Sequence, residues 1–242
     1  MNSENRSNDS VDQTDQDWKD WYNNQKRRAS EERMRKNELA KPLKKGYIAT
    51  GTVLAYNGEP SFDPCKGHGH GFLYYLATKG RTSIWMNPVD IGSVRLTTGP
   101  DEWRGSCNAI CGRRCVISSS RGTPEPWFAF EFAVNIVLSH YSLRHGWCNG
   151  DGAMTSWIVQ ASSDGENWST IDRREQEIAL SRGGYAHATW EVQTCPPARF
   201  FKVQMVGGHA QGRYYMYCCG FEIYGRVDGQ TDVDSSHWGA LG

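Results

Sequence analysis

The run WFAFEFAV, residues 127–134, sets Phe128, Phe130 and Phe132 against Ala129 and Glu131. A large apolar residue at every second position is the period of a strand with one buried face. NIVLSHYSLRH, residues 135–145, continues in kind, with Val137, Tyr141 and Leu143 assigned to one side and His140 and Ser142 to the other. Downstream, WIVQASSDGENWSTI (157–171) reads as two strands joined around Asp164-Gly165, because Gly accepts the positive φ that a tight hairpin demands. ATWEVQ (188–193), ARFFKVQMV (198–206) and YYMYCCGFEIYG (214–225) supply three more strands. Short strands with frequent turn signals and almost no helical period make the fold all-β, a β-sandwich or jelly roll spanning 46–228.

The flanks differ. Residues 1–45 begin polar and acidic, then turn basic in KRRASEERMRKNELAKPLKK. Ala, Glu, Arg, Met and Leu favour a helix from about Asp15 to Ala40, ended by Pro42 and Gly46. Trp18, Trp21 and Tyr22 fall at helical spacing and are the candidate anchors of a docking arm. A solvated helix that only adds solubility accounts for the same residues. DGQTDVDSSHWGALG closes the chain as a loose tail over 229–242.

Composition excludes several classes. With 27 basic and 27 acidic residues the net charge is zero, so no global field draws the chain to nucleic acid. No run approaches the ~18 apolar residues of a membrane span. The N-terminus lacks the apolar centre of a secretion signal, which gives an expectation of a cytoplasmic protein. Among the eight cysteines, Cys107-x3-Cys111-x3-Cys115 is not the paired C-x2-C spacing of a zinc ribbon. Most of the eight are therefore expected to be small buried hydrophobes, with no cofactor and no metal.

Four motifs, taken together, are specific. LYYLATKGRTSIWMNP, YSLRHG, the Asp164-Gly165 hairpin with Trp168, and the closing GFEIYG stand in this order over roughly residues 70–226. The set resembles the discoidin, or coagulation-factor C-type, domain, in the divergent intracellular branch found beside BTB or HECT regions of ubiquitin-ligase components. The resemblance implies a galactose-binding-like jelly roll of two antiparallel sheets that binds partners and performs no catalysis. Two departures bear on the ligand. Thr155-Ser156 stand before Trp157 where the family usually has a basic or amide residue, and the insert 101–126 has its own Cys and Arg content.

The candidate site residues lie in loops. SLRHGWCNGDGAMTSW (142–157) holds Arg144, His145, Trp147, Asn149 and Asp151. Arg and Trp are the types enriched at interface hot spots, although Arg144 and His145 could equally fix the strand end. Cys148 beside His145 lacks the marks of a nucleophile and its base, and one carboxylate is poor supply for calcium. Arg113 and Arg114 in the insert, beside Arg104 and Arg121, suit an acidic or phosphorylated segment, and a solvated basic loop is the bland alternative. Arg213, Tyr214 and Tyr215 add recognition residues from the 208–217 loop. Cys65, His68 and His70 in a glycine-rich run are read as a turn rather than a zinc site, and Trp85, Asn87 and Pro88 as a folding turn with Trp85 in the core. The expectation is a non-enzymatic protein-binding or scaffold module, a substrate adaptor of ubiquitin-ligase type. A cytoskeletal or ciliary structural component and a glycan-binding lectin stay open as alternatives.

Overall fold

A computed structural model describes residues 20, 23–31, 33–34, 37, 41–43, 48–56, 71–99, 103–120, 122–209 and 211–228. The chain divides after Pro42 into two units. In the first, residues 23–31 are helical and exposed, and Arg27 meets Glu31 one turn on at 3.6 Å. Trp18, Trp21 and Tyr22, the expected anchors, lie outside the described residues, as do Cys65, His68, His70, Arg121 and the tail 229–242.

The second unit is built around one strand. β1 (Val53–Leu54), a short helix α1 (Phe72–Ala77), β2 (Val94–Gly99), β3 (Trp103–Arg104) and β4 (Ser119–Ser120) lead to β5, Trp127–His145, which runs for 19 residues. After it come β6 (Trp157–Ser162), β7 (Ser169–Arg174), β8 (His187–Glu191), β9 (Ala198–Met205) and β10 (Cys218–Val227). Residues 127–132 of β5 pair with β2 on one edge and β9 on the other, and β9 continues through β6 to β7. Residues 136–145 pair instead with β10, and from 140 to 144 with β8 on the other edge; β1 lies beyond β10. Glu131 faces Phe200 and Ile136 faces Ala198, so β5 advances five positions while β9 advances two. There the strand passes from one sheet into the other. All pairings are antiparallel, as the resemblance to discoidin domains implies.

The two sheets face each other across an aromatic core. Phe130 stacks on Phe221 of β10 at 5.5 Å, and Phe128 meets the same ring edge-on at 5.3 Å. Trp157 meets Trp190 of β8 edge-on at 5.0 Å. Phe128, Phe130 and Phe132 are all fully buried, which is the face their alternation assigned. The polar ends of these rings are satisfied inside: Trp157 Nε1 donates to Tyr141 Oη at 2.9 Å, and Tyr141 donates to Asp172 at 2.6 Å. At the 162–168 hairpin, Asp164 accepts the backbone N–H groups of Glu166 and Asn167, each at 2.8 Å, which closes the expected turn. The Asn167 side-chain N–H, with those backbone bonds, holds the Asp164 carboxyl well below the usual carboxylate range.

Three expectations are corrected. Val137 does not share the inner face with Tyr141 and Leu143; Ile136 and Leu138 do, and Val137 is half-buried. The cause is a bulge: Tyr224 faces His140 and Gly225 faces Leu138, which leaves Ser139 as an extra residue that inverts the alternation. Trp85 is half-exposed rather than in the core, while Asn87 holds its turn through Val89 N and the Asn108 carbonyl. A short helix, α1, stands where almost no helical period was read.

Glu222 explains why α1 forms. Its carboxylate accepts Leu73 N at 2.8 Å and Tyr74 N at 3.0 Å, N–H groups that the first turn of a helix leaves without partners. Gly71 precedes the helix because any Cβ there would sit 2.4 Å from the Glu222 side chain. Burial outweighs these two donors and a third, Ile223 N at 3.0 Å, and lifts the Glu222 pKa to about 7. A folded-state pKa above the unfolded value means that stability is lost as pH rises from about 4.5 through 7. The loss is on the order of 3 kcal/mol for a shift of this size. Urea unfolding at pH 5 and pH 8 should therefore show native protein falling relative to Glu222→Gln. An unchanged gap between the two proteins would refute the assignment.

Candidate functional site

One end of the sandwich gathers three of the loops singled out in the sequence and one that was not. Ser118 N donates to Gly146 O at 3.1 Å, joining the 112–118 loop to the 146–154 loop. Tyr185 N donates to Trp147 O at 2.9 Å and brings in the loop before β8. Ser119 bridges Tyr217, which adds the 208–217 loop. Between them lies an aromatic floor. The Tyr217 ring meets Trp147 at 5.2 Å, His145 at 5.9 Å, Tyr215 at 6.1 Å and His209 at 6.1 Å. Gly152, with φ +72°, passes under this floor, and a Cβ there would press on Tyr217 at 2.9 Å. Trp147, Tyr215 and Tyr217 are half-buried, while Arg213, Tyr214 and Arg114 are exposed.

Arg144 is not part of that surface. It was a candidate to touch a partner, yet it is 1% exposed. Its guanidinium donates to the carbonyls of Gly112 (3.0 Å), Arg113 (3.1 Å), Arg114 (2.8 Å) and Cys219 (2.7 Å), and its Nε reaches Cys219 Sγ at 3.3 Å. A second bulge makes this possible. Cys218 faces His145 and Gly220 faces Arg144, so Cys219 is the extra residue, and it turns toward the guanidinium. Of the two roles open from the sequence, Arg144 has the internal one: it ties the 112–114 backbone to β5 and so positions Arg113 and Arg114. Arg113 itself is half-buried, its guanidinium 5.2 Å from the Tyr74 ring centre.

His145 is corrected in the same way. It is fully buried, and neither ring nitrogen makes a hydrogen bond. Cys148 therefore has no imidazole base in it. The carbonyls of Asn149, Asp151 and Tyr217 face the ring without closing bond geometry; burial dominates and lowers the His145 pKa. Asn149 and Asp151 are exposed and bound to each other, Asn149 Nδ2 to the Asp151 carboxylate and Asp151 N to Asn149 Oδ1, both at 3.0 Å. That ring of bonds shapes a turn. Among the described residues no group of three or more His, Cys, Asp or Glu could hold a metal ion. The seven described cysteines are free thiols: Cys111, Cys195, Cys218 and Cys219 are buried, Cys107 is half-buried, and Cys115 and Cys148 are exposed.

Sequence reasoning missed two participants. Tyr217 is the hub of the floor, yet in the sequence it only closes the 208–217 loop and continues into the next strand, with no mark of a site residue. Tyr185, which has positive φ at +56°, lies in a loop that carried no motif. The half-buried aromatic pair Tyr215 and Tyr217, with Met216 fully buried between them, is the period-two signal that could have pointed to the hub.

No family model matches the chain. It is 30% identical over 171 residues to the E3 ubiquitin-protein ligase Ufd4 of Drosophila melanogaster. It is 28% identical over 168 residues to the E3 ubiquitin-protein ligase hecd-1 of Caenorhabditis elegans. These matches take in 67% and 65% of the chain but 6% of each relative's length. A BTB/POZ domain-containing protein of Arabidopsis thaliana is 22% identical over 174 residues, 66% of this chain and 21% of that protein. Among solved structures, the CBM32-3 module of a family 31 glycoside hydrolase from Clostridium perfringens covers 55% of the chain and 92% of its own, at 14% identity and TM-score 0.45. The family 32 module of C. perfringens NanJ, solved with galactose, covers 55% of the chain and 93% of its own, at 9% identity and TM-score 0.43.

Two variants check the internal roles. Arg144→Lys keeps a charge but cannot span four carbonyls, so it should cost about 3 kcal/mol or more. Amide exchange in residues 112–118 should rise with it; unchanged exchange there would show that Arg144 does not hold that loop. His145→Phe isolates the buried imidazole. A lowered folded pKa means that stability is full above the usual 6.5 and is lost as pH falls below it. The native protein should therefore weaken relative to His145→Phe between pH 7.5 and pH 5, as read by urea unfolding; parallel curves would contradict this.

Proposed function

We propose that this chain is a non-catalytic protein-binding module that recognises a partner with the loops at one end of its sandwich, in the cell interior and in the setting of a ubiquitin ligase. The observation that carries the reading is the half-exposed floor of Trp147, Tyr215 and Tyr217, with Tyr214 43% exposed at its side. Large aromatic side chains gain more from a partner's surface than from water, and their few rotatable bonds keep the ordering cost low. The resemblance to short stretches of E3 ligases supports the setting. A stretch amounting to 6% of such a protein fits a module that brings a substrate or a scaffold to the ligase. A glycan is the second reading, favoured by Trp147 sharing the 146–154 loop with the amide and carboxylate of Asn149 and Asp151.

The test places a photo-crosslinking residue at Tyr214 in the full chain, and a second at Val53. Val53 pairs with Arg226, at the far end of β10 from these loops. Tyr214 should yield a discrete protein adduct that re-forms with the purified partner and weakens with Trp147→Ala. Equal capture from Val53 would sink the loop assignment. Displacement of the adduct by free sugars would transfer the site to glycans.

A further inference from the structure

The arginines of the sandwich divide by what they meet. Arg95 and Arg199 reach Glu131, Arg173 reaches Glu175, Arg174 reaches Asp172 and Arg226 reaches Asp228. Arg104, Arg114, Arg182 and Arg213 are exposed, and among the described residues none of the four reaches a carboxylate. (Arg81, in the turn after α1, is another such residue on a different loop.) The four sit on segments that meet at the aromatic floor. Arg104 precedes the 105–106 turn and its partner on β4 is Ser119, which bridges Tyr217. Arg114 is held by Arg144 through its carbonyl, Arg182 lies just before the segment that bonds Trp147, and Arg213 accepts His209 N at 2.7 Å through its own carbonyl. Among the described residues, the carboxylates these loops expose are Asp151, which Asn149 already occupies, and Glu175, which Arg173 occupies.

The pattern points to a ligand of complementary charge. A rim of like charges lowers local stability slightly, and away from these loops Arg95, Arg173, Arg174, Arg199 and Arg226 are each offset by an acid. Guanidinium forks match carboxylates in geometry and form charge-assisted bonds with them. The surface is not only charged: Ile117 is 44% exposed and Tyr214 43%, on the segments that carry Arg114 and Arg213. A bare inorganic anion would leave that apolar area uncovered. These loops also contain no lysine, the residue that commonly shares the neutralisation of nucleic-acid phosphates with arginine.

We propose that the rim of Arg104, Arg114, Arg182 and Arg213 takes an extended Asp- and Glu-rich segment of a partner protein, with an apolar side chain of that segment seated against Tyr214 and Trp147. This rests on the reading of the loop end as a protein-binding site and names the chemistry of what it binds.

The experiment is fluorescence anisotropy with the full chain and a labelled peptide of alternating Glu and Gly around a central Phe. Its Gln counterpart and an oligothymidylate serve as comparison ligands. The Glu peptide should bind, the Gln peptide should bind much more weakly, and binding of the Glu peptide should weaken steeply with added salt. Arg114→Glu with Arg213→Glu should reduce affinity at least ~10-fold, the combined effect of losing two exposed ion pairs. Arg173→Glu, away from the loops, should leave it unchanged. Arg114→Gln with Arg213→Gln provides the same test should the reversal disturb folding. Equal binding of the Gln peptide, equal or tighter binding of the oligothymidylate, or indifference to both arginine pairs would overturn the proposal. If the partner captured at Tyr214 stays bound to the arginine variants, the loop site stands and its acidic specificity falls.

Discussion

β5 must satisfy hydrogen-bonding partners on both edges in two different sheets, and the sandwich depends on that. Backbone N–H and C=O groups buried without partners would each cost more than most side-chain contacts return. Over residues 127–132 the strand is bounded by β2 and β9, and over 140–144 by β10 and β8. The five-against-two advance between Glu131 and Ile136 is where it exchanges one set of neighbours for the other. Because both sheets share this strand, their separation and angle are fixed by one backbone. The contacts of Phe128 and Phe130 with Phe221 then close the gap with aromatic packing.

The same strand positions the loop end through Arg144. Burying a guanidinium is costly unless its donors are met, and here four carbonyls and a thiol meet them. Three of the carbonyls belong to Gly112, Arg113 and Arg114, residues with no place in the main sheets. The tether therefore turns a wandering insert into part of the scaffold. Cys219 matters as a bulge residue rather than as a reactive thiol, since the extra position lets its carbonyl and sulfur face the same guanidinium. A site assembled from loops needs such support if its aromatic and charged groups are to be held in register.

What the sequence revealed and what it hid follow from the range of the interactions involved. The alternation of Phe128, Phe130 and Phe132, the Asp164-Gly165 turn and the later strands depend on neighbours a few positions away, and these were legible. Val137 was misassigned because a single extra residue at Ser139 inverts the period, and its signal resides in the partner strand. Arg144 and His145 sit in a run that looks like a reactive loop. Their burial depends on residues 112–114 and 217–219, so no local pattern could announce it. Glu222 did leave a trace: a carboxylate in the otherwise apolar GFEIYG strand demands donors, and the N-terminus of α1 supplies them. The floor around Tyr217 was half-visible, since Trp147 and Tyr215 were picked out singly while the residue that joins them was not.

Charge and aromatic surface do different work at the loop end. Arg144 is sealed from water, so its bonds are insensitive to salt and belong to the fold. Arg104, Arg114, Arg182 and Arg213 are exposed, where each ion pair is worth at most about 1 kcal/mol and is screened beyond roughly 8–10 Å. Such charges guide and orient an approaching partner more than they hold it. Retention has to come from apolar burial against Trp147, Tyr214 and Tyr215, at about 25 cal/mol per Å². Specificity then requires both in one ligand: acidic residues without an apolar side chain would arrive and leave, and apolar residues without acids would arrive slowly. The arrangement favours a short mixed segment over either a uniform polyanion or a plain hydrophobic patch.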